Sequence, residues 1–534
     1  MRSNWGSGHP AVCVLPGYGK WNVCTVCFET GETRLCSLVN KDRSYKAMPK
    51  ANGAQRESDG AVVVMTDSQH NEPVAKGPDF DHVGNVGKRK GMSGNARTNK
   101  PVGNNAKVRK LQNRLWTSAK QSPDRRFHAL YDRVFRPDVL EEAWKRVSAN
   151  KGSAGVDKQT LADIEAYGVD RFLSEIHQSL KAGNYHPSPT RRVEIPKPDG
   201  KKRPLGIPTV KDRVVQTAAK LVIEPIFEAD FLPTSYGYRP RKTATEAAEA
   251  IRVSFPKGFK WTVEIDFADF FGSIDHDKLM ELIEKRISDR RVLKLIRKWL
   301  KAGVLDQGQF SETVTGTPQG GVISPLLSNI FLHELDKRFT NTHNGQLVRF
   351  ADDAVVMCKT ESDAQKALNT LRAIADDLGL TLHPDKTKVI DLNEGREGFD
   401  FLGWHFHARV SGKLLEKGVR RYYLQRWPSA RSMKRVRQKI KDRTGHNRNG
   451  TDIRIIIKEL NRILRGWSNY FRTGNAALKF NRLDWYVVCR LRKLLVKRKG
   501  RNLKPGQVLQ WTREWFESHG LFRLRGTVCY PGAA

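Results

Sequence analysis

Acid is what this chain is short of: 57 Asp+Glu stand against 94 Lys+Arg in 534 residues, a formal charge of +37. Solubility does not require so large an excess, and it suits a polyanionic partner, nucleic acid first and anionic membrane second. No apolar run approaches the ~20 residues of a spanning helix, and no charged n-region with an apolar h-region opens the chain, so no membrane partner is expected. Cysteine is also scarce. Cys13, Cys24, Cys27, Cys36, Cys358, Cys489 and Cys529 make an odd number, which argues for a reducing, intracellular setting over a disulfide framework. Cys24-x-x-Cys27 between Cys13 and Cys36 has the makings of a four-thiolate zinc site. Single outer cysteines are weaker than two paired knuckles, however, and zinc there is not expected. The chain also lacks an internal repeat of roughly 20–50 residues, which excludes a solenoid.

What is present is enough apolar material, 39% of residues, to furnish real cores. Charge is unevenly placed: residues 401–534 hold 32 Lys+Arg and 7 Asp+Glu. A carboxylate-bearing body with a basic appendage is the implied organisation. Residues 1–108, rich in Gly, Asn, Ser and Lys, read as mostly unstructured, and translation starting at Met48 or Met65 is an open alternative. Helical periodicity begins near Lys110. Strands around a basic turn are expected at Arg192–Lys197 and Arg203–Pro208, and a strand at Trp261–Ile265 ending in Asp266. Helices are expected over about 212–227, 243–253, 276–302, 324–339 and 362–379, with a hairpin over 346–358.

That hairpin carries Phe350-Ala351-Asp352-Asp353 between apolar runs. Two adjacent carboxylates raise each other's pKa and repel, which a fold tolerates where cations share the site. An ordinary polar turn is the competing reading, since Asp forms turns well. Asp266, at the end of another strand, would join the pair if the two strands are neighbours. Together the acids would offer the hard oxygen ligands that Mg²⁺ requires.

At this point an ordered set of motifs carries a resemblance. The set comprises Ile195-Pro-Lys-Pro-Asp-Gly200 with Arg203-Pro-Leu-Gly-Ile-Pro208, Ser235-Tyr-Gly-Tyr-Arg-Pro240, Glu264-Ile-Asp-Phe-Ala-Asp-Phe-Phe271 with Ile274-Asp-His276, and Gly316-Thr-Pro-Gln-Gly-Gly-Val-Ile-Ser-Pro-Leu326. It continues with Phe350-Ala-Asp-Asp353, Leu382-His-Pro-Asp-Lys-Thr387 and Phe401-Leu-Gly-Trp404. From about Val139 to Phe406 the chain resembles a group II intron-encoded reverse transcriptase, and the basic tail, with Arg465-Gly-Trp-Ser-Asn-Tyr-Phe-Arg472, resembles its maturase domain. The resemblance implies an α/β right-hand polymerase fold: fingers and a palm with an antiparallel sheet flanked by helices, then a helical thumb/maturase region. The divisions it suggests are an extension at 1–108, N-terminal helices and fingers at 109–258, palm at 259–410, thumb/maturase at 411–505 and a tail at 506–534.

It further implies that Asp266, Asp352 and Asp353 are the catalytic, metal-binding residues for two Mg²⁺ ions, with dNTP substrates. Lys197, Arg203, Phe271 and Gln319 would bind the nucleotide. Phe271 excludes a 2′-hydroxyl on that reading and packs in the core on the plainer one. Lys386 is a candidate proton donor, with a surface ion pair as its alternative. Phe401, Leu402, Gly403 and Trp404 would form the primer grip. Arg465, Arg472, Arg490, Arg492, Lys493, Lys497 and Arg498 would bind RNA, while Trp467, Tyr470 and Phe471 read as core. Expected partners are the host intron RNA, target DNA and a primer-template, in a bacterial cytoplasm and at the nucleoid when DNA is bound. The family commonly has Tyr where Phe350 stands and Asp where Gly272 stands. Only about 30 residues follow the last basic helix, so an HNH endonuclease region is not expected. A splicing-only maturase with a dead polymerase, or a reverse transcriptase of another retroelement, are the alternatives.

Overall fold

The computed structural model of the chain describes residues 11–15, 22–26, 104–196, 202–306, 309–311, 316 and 320–530. It divides into two compact units, Met1–Ser58 and Asp59–Ala534. In the first, β1 (Ala11–Leu15) and β2 (Asn22–Val26) form an antiparallel hairpin with Cys13 opposite Cys24. Ten residues of the leader expected to be mostly unstructured are thus paired strands, and apart from 104–108 the rest of it lies outside the described residues. Val12, Val14, Val23 and Val26 are strand formers, a local signal that the surrounding composition hides. Cys27 and Cys36 lie outside the described residues.

The second unit opens with α1 (Asn104–Gln121), α2 (Tyr131–Val134), α3 (Pro137–Ala149), α4 (Leu161–Tyr167) and α5 (Val169–Lys181). Because α1 starts at Asn104, the expected division at 108/109 falls inside a helix. The strands β3 (Thr190–Pro196) and β4 (Lys202–Ile207) pair as the expected hairpin, which joins the later β6 (Val304–Asp306) and β7 (Gln309–Ser311) in a sheet ordered β4-β3-β6-β7. Between them run α6 (Val210–Glu228), buried almost all round, and α7 (Ala244–Ser254), started by a Thr243–Glu246 capping box. They are followed by β5 (Trp261–Ile265), α8 (Phe270–Ser273), α9 (His276–Glu284) and α10 (Arg290–Leu300). A single helix over 276–302 was the expectation, and the chain breaks it in two. The buried Asp289 carboxylate is the reason: it accepts from the Arg291 and Val292 amides to start α10, and from the Leu130 and Tyr131 amides to anchor α2.

The central sheet is antiparallel throughout, in the order β10-β5-β9-β8, built from β8 (Gln346–Phe350), β9 (Asp353–Cys358) and β10 (Lys388–Asp391) around β5. Long helices α11 (Ser324–Thr340) and α12 (Glu361–Leu378) cover one face. Strand β9 is buried on both faces after its first residue, which explains its unbroken apolar run. Ala354, Val356 and Cys358 enter the core shared with α1–α6 and α8–α12, whereas Val355 and Met357 enter a second core. That second core also holds α7, the sheet β11 (Gly398–Phe401), β12 (Trp404–Val410) and β13 (Tyr422–Pro428), and the helical tail. The tail is α13 (Gly412–Leu415), inserted between β12 and β13, then α14 (Ala430–Arg443), α15 (Ile453–Phe471), α16 (Ala477–Lys499), α17 (Gln507–Gln510) and α18 (Arg513–Ser518). The fold class is therefore the expected one, with its subdivisions packed into one compact unit. Among the described residues no helix is long and apolar enough to cross a membrane.

His333 on α11 lies edge-on to Phe231, with ring centroids 5.4 Å apart. Burial, the largest influence, pushes its pKa from 6.5 down to about 4, with Asp336 and Glu334 opposing and Lys337 and Arg349 assisting. The folded protein thus holds a neutral ring where the unfolded chain takes up a proton. Stability should fall as pH drops from 6.5 towards 4, by at most about 3 kcal/mol from this group. Denaturant unfolding of wild type and His333→Gln across that window should show the difference between them changing with pH; a constant difference would contradict it.

Candidate active site

Strands β5 and β9 are neighbours with Ile265 opposite Ala354, so Asp266 and Asp353 emerge at the same edge of the sheet. Phe350 faces Asp353 across the two-residue turn Ala351-Asp352, with Ala351 in the left-handed region at φ 58°. The protein packed around Asp353 strips water from a carboxylate whose tip is still open to solvent, and this and then the charges of Asp352 and Asp266 raise its pKa to about 6, against the pull of Lys386 and Arg431. The three expected acids therefore share one electrostatic site. Lys386 pairs with the Asp266 carboxylate, and the His383 amide donates to the Asp266 carbonyl at 2.8 Å, which ties the Leu382–Thr387 motif to the strand end. Glu264, two residues before Asp266, is also raised, by burial first and then by nearby Asp400, Asp266 and Asp353, with Lys388 opposing.

Among the described residues no three acid, imidazole or thiolate groups converge closely enough to enclose a metal ion unaided. The donor chemistry still fits Mg²⁺: hard anionic oxygens, one or two per ion, with water and substrate phosphates completing the shell. Asp266 and Asp352 would be the protein's ligands, with Asp353 beside them.

Behind the turn lies an arrangement the motifs did not announce. Arg349 and Asp336 are both fully buried and form a bidentate pair, Nε to Oδ1 at 2.7 Å and Nη2 to Oδ2 at 2.5 Å. The same guanidinium donates to the Ala351 carbonyl at 2.9 Å and to Asn329 Oδ1 at 3.1 Å. Asn329 in turn donates to the Gly237 carbonyl at 2.8 Å. Gly237 lies so close that a Cβ there would collide with the Ala351 amide, which is why the Ser235–Pro240 motif needs glycine. Next to it Tyr238, 57% exposed, turns its ring towards Phe350 at 6.4 Å.

Phe271 is partly buried against the first core, edge-on to Phe270 at 5.3 Å, consistent with the packing role and leaving one side open. At Gly272 a Cβ would meet only the Asp269 carboxylate, the end of a side chain that can turn aside, so nothing in the structure explains the departure there. Lys197 and Gln319 lie outside the described residues. Arg203 pairs with Ile195 in the β3–β4 hairpin, and its side chain lies outside them too.

In the expected primer grip, Phe401 and Trp404 are buried, and the surface belongs to the turn Leu402-Gly403 between them. The tail holds this turn: Tyr470 Oη donates to the Leu402 carbonyl and Ser432 Oγ to the Gly403 carbonyl, each at 2.8 Å. Trp404 packs on Tyr470 and Phe471, and Trp467 on Phe471, which bears out their reading as core.

Several cations expected to bind RNA are instead engaged within the fold. Arg490 donates to the Thr444 carbonyl at 2.9 Å and caps the end of α14, Arg492 donates to the Trp511 carbonyl at 2.6 Å, and Arg498 to the Thr451 carbonyl at 2.5 Å. Arg465 covers the Phe522 ring at 4.5 Å. Carbonyls at helix ends and loops lack intrahelical donors, and long guanidinium arms satisfy them. Arg472, Lys493 and Lys497 are exposed, the last two in a groove with Lys441 and His446. Missed by the sequence reading, Arg454, Lys458 and Arg462 line one exposed face of α15 beside Arg465; their i, i+4, i+8 spacing was the available signal.

Residues 195–406 match the family model described as "Reverse transcriptase (RNA-dependent DNA polymerase)", and residues 433–511 match "Group II intron, maturase-specific domain". The chain is 41% identical over 225 residues to the group II intron-encoded protein LtrA of Lactococcus lactis subsp. cremoris, covering 42% of this chain and 37% of that protein. It is 34% identical over 338 residues to the protein YkfC of Escherichia coli (strain K12), covering 55% of this chain and 87% of that one. A 91 kDa protein in the cob intron of Schizosaccharomyces pombe is 28% identical over 438 residues, 68% of this chain and 53% of its own length.

Removing one partner of the buried pair leaves the other charge uncompensated. Asp336→Ala should lower unfolding free energy by about 3–5 kcal/mol. Arg349→Lys should also destabilise, because one ammonium cannot serve both Asp336 oxygens, Asn329 and Ala351. Urea unfolding measures both, and wild-type midpoints would refute the assignment.

Proposed function

The chain belongs to the group II intron reverse transcriptase and maturase family, and from that premise we propose that it is an RNA-directed DNA polymerase that also binds its host intron RNA to assist splicing. The observation that carries the polymerase reading is the meeting of Asp266, Asp352 and Asp353 at one edge of the β5–β9 pair. Divalent ions held there by Asp266 and Asp352 would activate the attacking 3′-hydroxyl and steady the departing pyrophosphate. Lys386, paired with Asp266 at the same edge, would serve as the proton donor. Phe271 would lie under the sugar, and Lys197, Arg203 and Gln319 would bind the incoming nucleotide. Leu402 and Gly403, held by Tyr470 and Ser432, would back the primer end.

The maturase reading rests on the exposed cations of the tail: Arg472, Lys493, Lys497 and the Arg454–Lys458–Arg462 face. Intron mobility by target-primed reverse transcription, with target DNA as a further partner, belongs to the same proposal, motivated by the likeness to the group II intron-encoded protein LtrA, of which the chain spans 37%. A bacterial cytoplasm is the corresponding location. The competing splicing-only reading predicts a folded protein without polymerisation.

Primer extension on an RNA template with Mg²⁺ should yield cDNA from wild type, and Asp352→Ala should lower the rate by about 10²-fold or more. Intron splicing at low Mg²⁺ should persist in Asp352→Ala. No cDNA from the wild-type protein would sink the polymerase reading, and joint loss of splicing in a folded variant would sink the separation of the two roles.

A further inference from the structure

The sheet β11–β12–β13 has two unlike faces. Phe399, Phe401, Trp404, Phe406 and Leu424 point into the second core. The alternate residues point outward, and the register sets His405 opposite Trp427 and Arg409 opposite Tyr423. The outward rings form a continuous strip: His405 lies 5.2 Å and His407 6.2 Å from Trp427, and the two imidazoles stand 6.1 Å apart at an interplanar angle of 27°. Arg409 places its guanidinium 4.5 Å from the Trp427 centroid, and Arg421 lies over Tyr423 at 5.5 Å. None of these outward residues is buried. Half-open Trp, Tyr and His rings interleaved with arginines are not what a solvated sheet face requires, but they are what unpaired bases and their phosphates require.

The strip has direction. At one end His405 pairs with Asp400 and borders a groove with Glu264 and Lys388, beside the catalytic carboxylates. At the other, Arg409, Arg437 and Arg482 each lie within electrostatic range of Lys479. Phosphates are repelled at the first end and collected at the second.

We propose that the outward face of β11–β12–β13 is a binding platform for a single strand of nucleic acid, with bases stacked on His405, Trp427 and His407 and phosphates on Arg409, Arg437, Lys479 and Arg482. The span from His405 to Arg409 is about 13 Å at strand rise, room for roughly two or three nucleotides. An incoming base extends the stack that Arg409 already makes on Trp427. The platform requires no polymerisation and can be tested without metal or dNTP, so its failure is separable from that of the polymerase reading.

The test is equilibrium binding of labelled eight-nucleotide oligo-dT, oligo-rU and a matched duplex in EDTA at ~0.3 M salt, where contacts made only to phosphates are weakened. Trp427→Ala should weaken single-strand binding by about 5- to 100-fold and leave duplex binding within about twofold, while Trp427→Phe should stay near wild type. Equal loss for dT and rU assigns recognition to the base faces, and loss for rU alone assigns it to an RNA strand. A His405→Gln/His407→Gln double variant serves if Trp427→Ala shifts the thermal transition. Single-strand binding unchanged in both, or lost equally with duplex, would overturn the proposal.

Discussion

A charge pair with no access to water, Arg349 with Asp336, is the constraint on which the rest of the catalytic edge depends. Burying two ions is costly, and the cost is offset only when every polar atom finds a partner. Here the guanidinium meets both Asp336 oxygens, Asn329 and the Ala351 carbonyl, so the pair fixes the backbone of the turn from behind. Asn329 passes the constraint to Gly237, and the loop carrying Tyr238 is thereby pressed against the turn. The acids at the edge repel one another, and only the Lys386 pair on Asp266 is shown relieving them. The network beneath them supplies that placement.

A second polar element joins the central sheet to the tail. Arg426 on β13 is fully buried, pairs with Glu249 of α7 at 2.9 Å and donates to the Thr473 carbonyl at 3.2 Å. Burial lowers its pKa to about 10, and its Nε and Nη1 find no protein partner among the described residues. With Trp404 stacked beneath Tyr470, the grip turn is set jointly by sheet and tail. Its position at the catalytic edge therefore follows the tail as well as the sheet.

Much of this was legible in the sequence because the signals were local. The hairpin over 346–358 showed as two apolar runs around Ala351-Asp352, the end of β5 at Asp266 showed as a strand stopping in an acid, and α12 was outlined by its period. The rest depended on distant partners. Nothing near Asp289 shows that its carboxylate serves α2 and α10 together. Arg490, Arg492 and Arg498 look like an RNA-binding run until the carbonyls of Thr444, Trp511 and Thr451 fold onto them. Val12 and Val23 were hidden by the composition around them, and Arg349 reads as one more cation in a basic chain until Asp336 comes to meet it.

Strand β9 lends its two sides to different cores, Val356 to the one shared with the N-terminal helices and Val355 and Met357 to the one shared with the tail. Only its first residue, Asp353, stands outside both. Descendants of this chain are therefore free to shed the acids one base change at a time while the strand stays under selection for as long as the tail must fold. In such lineages the relic of catalysis would be an apolar strand with a blank tip, recognisable long after the chemistry had gone.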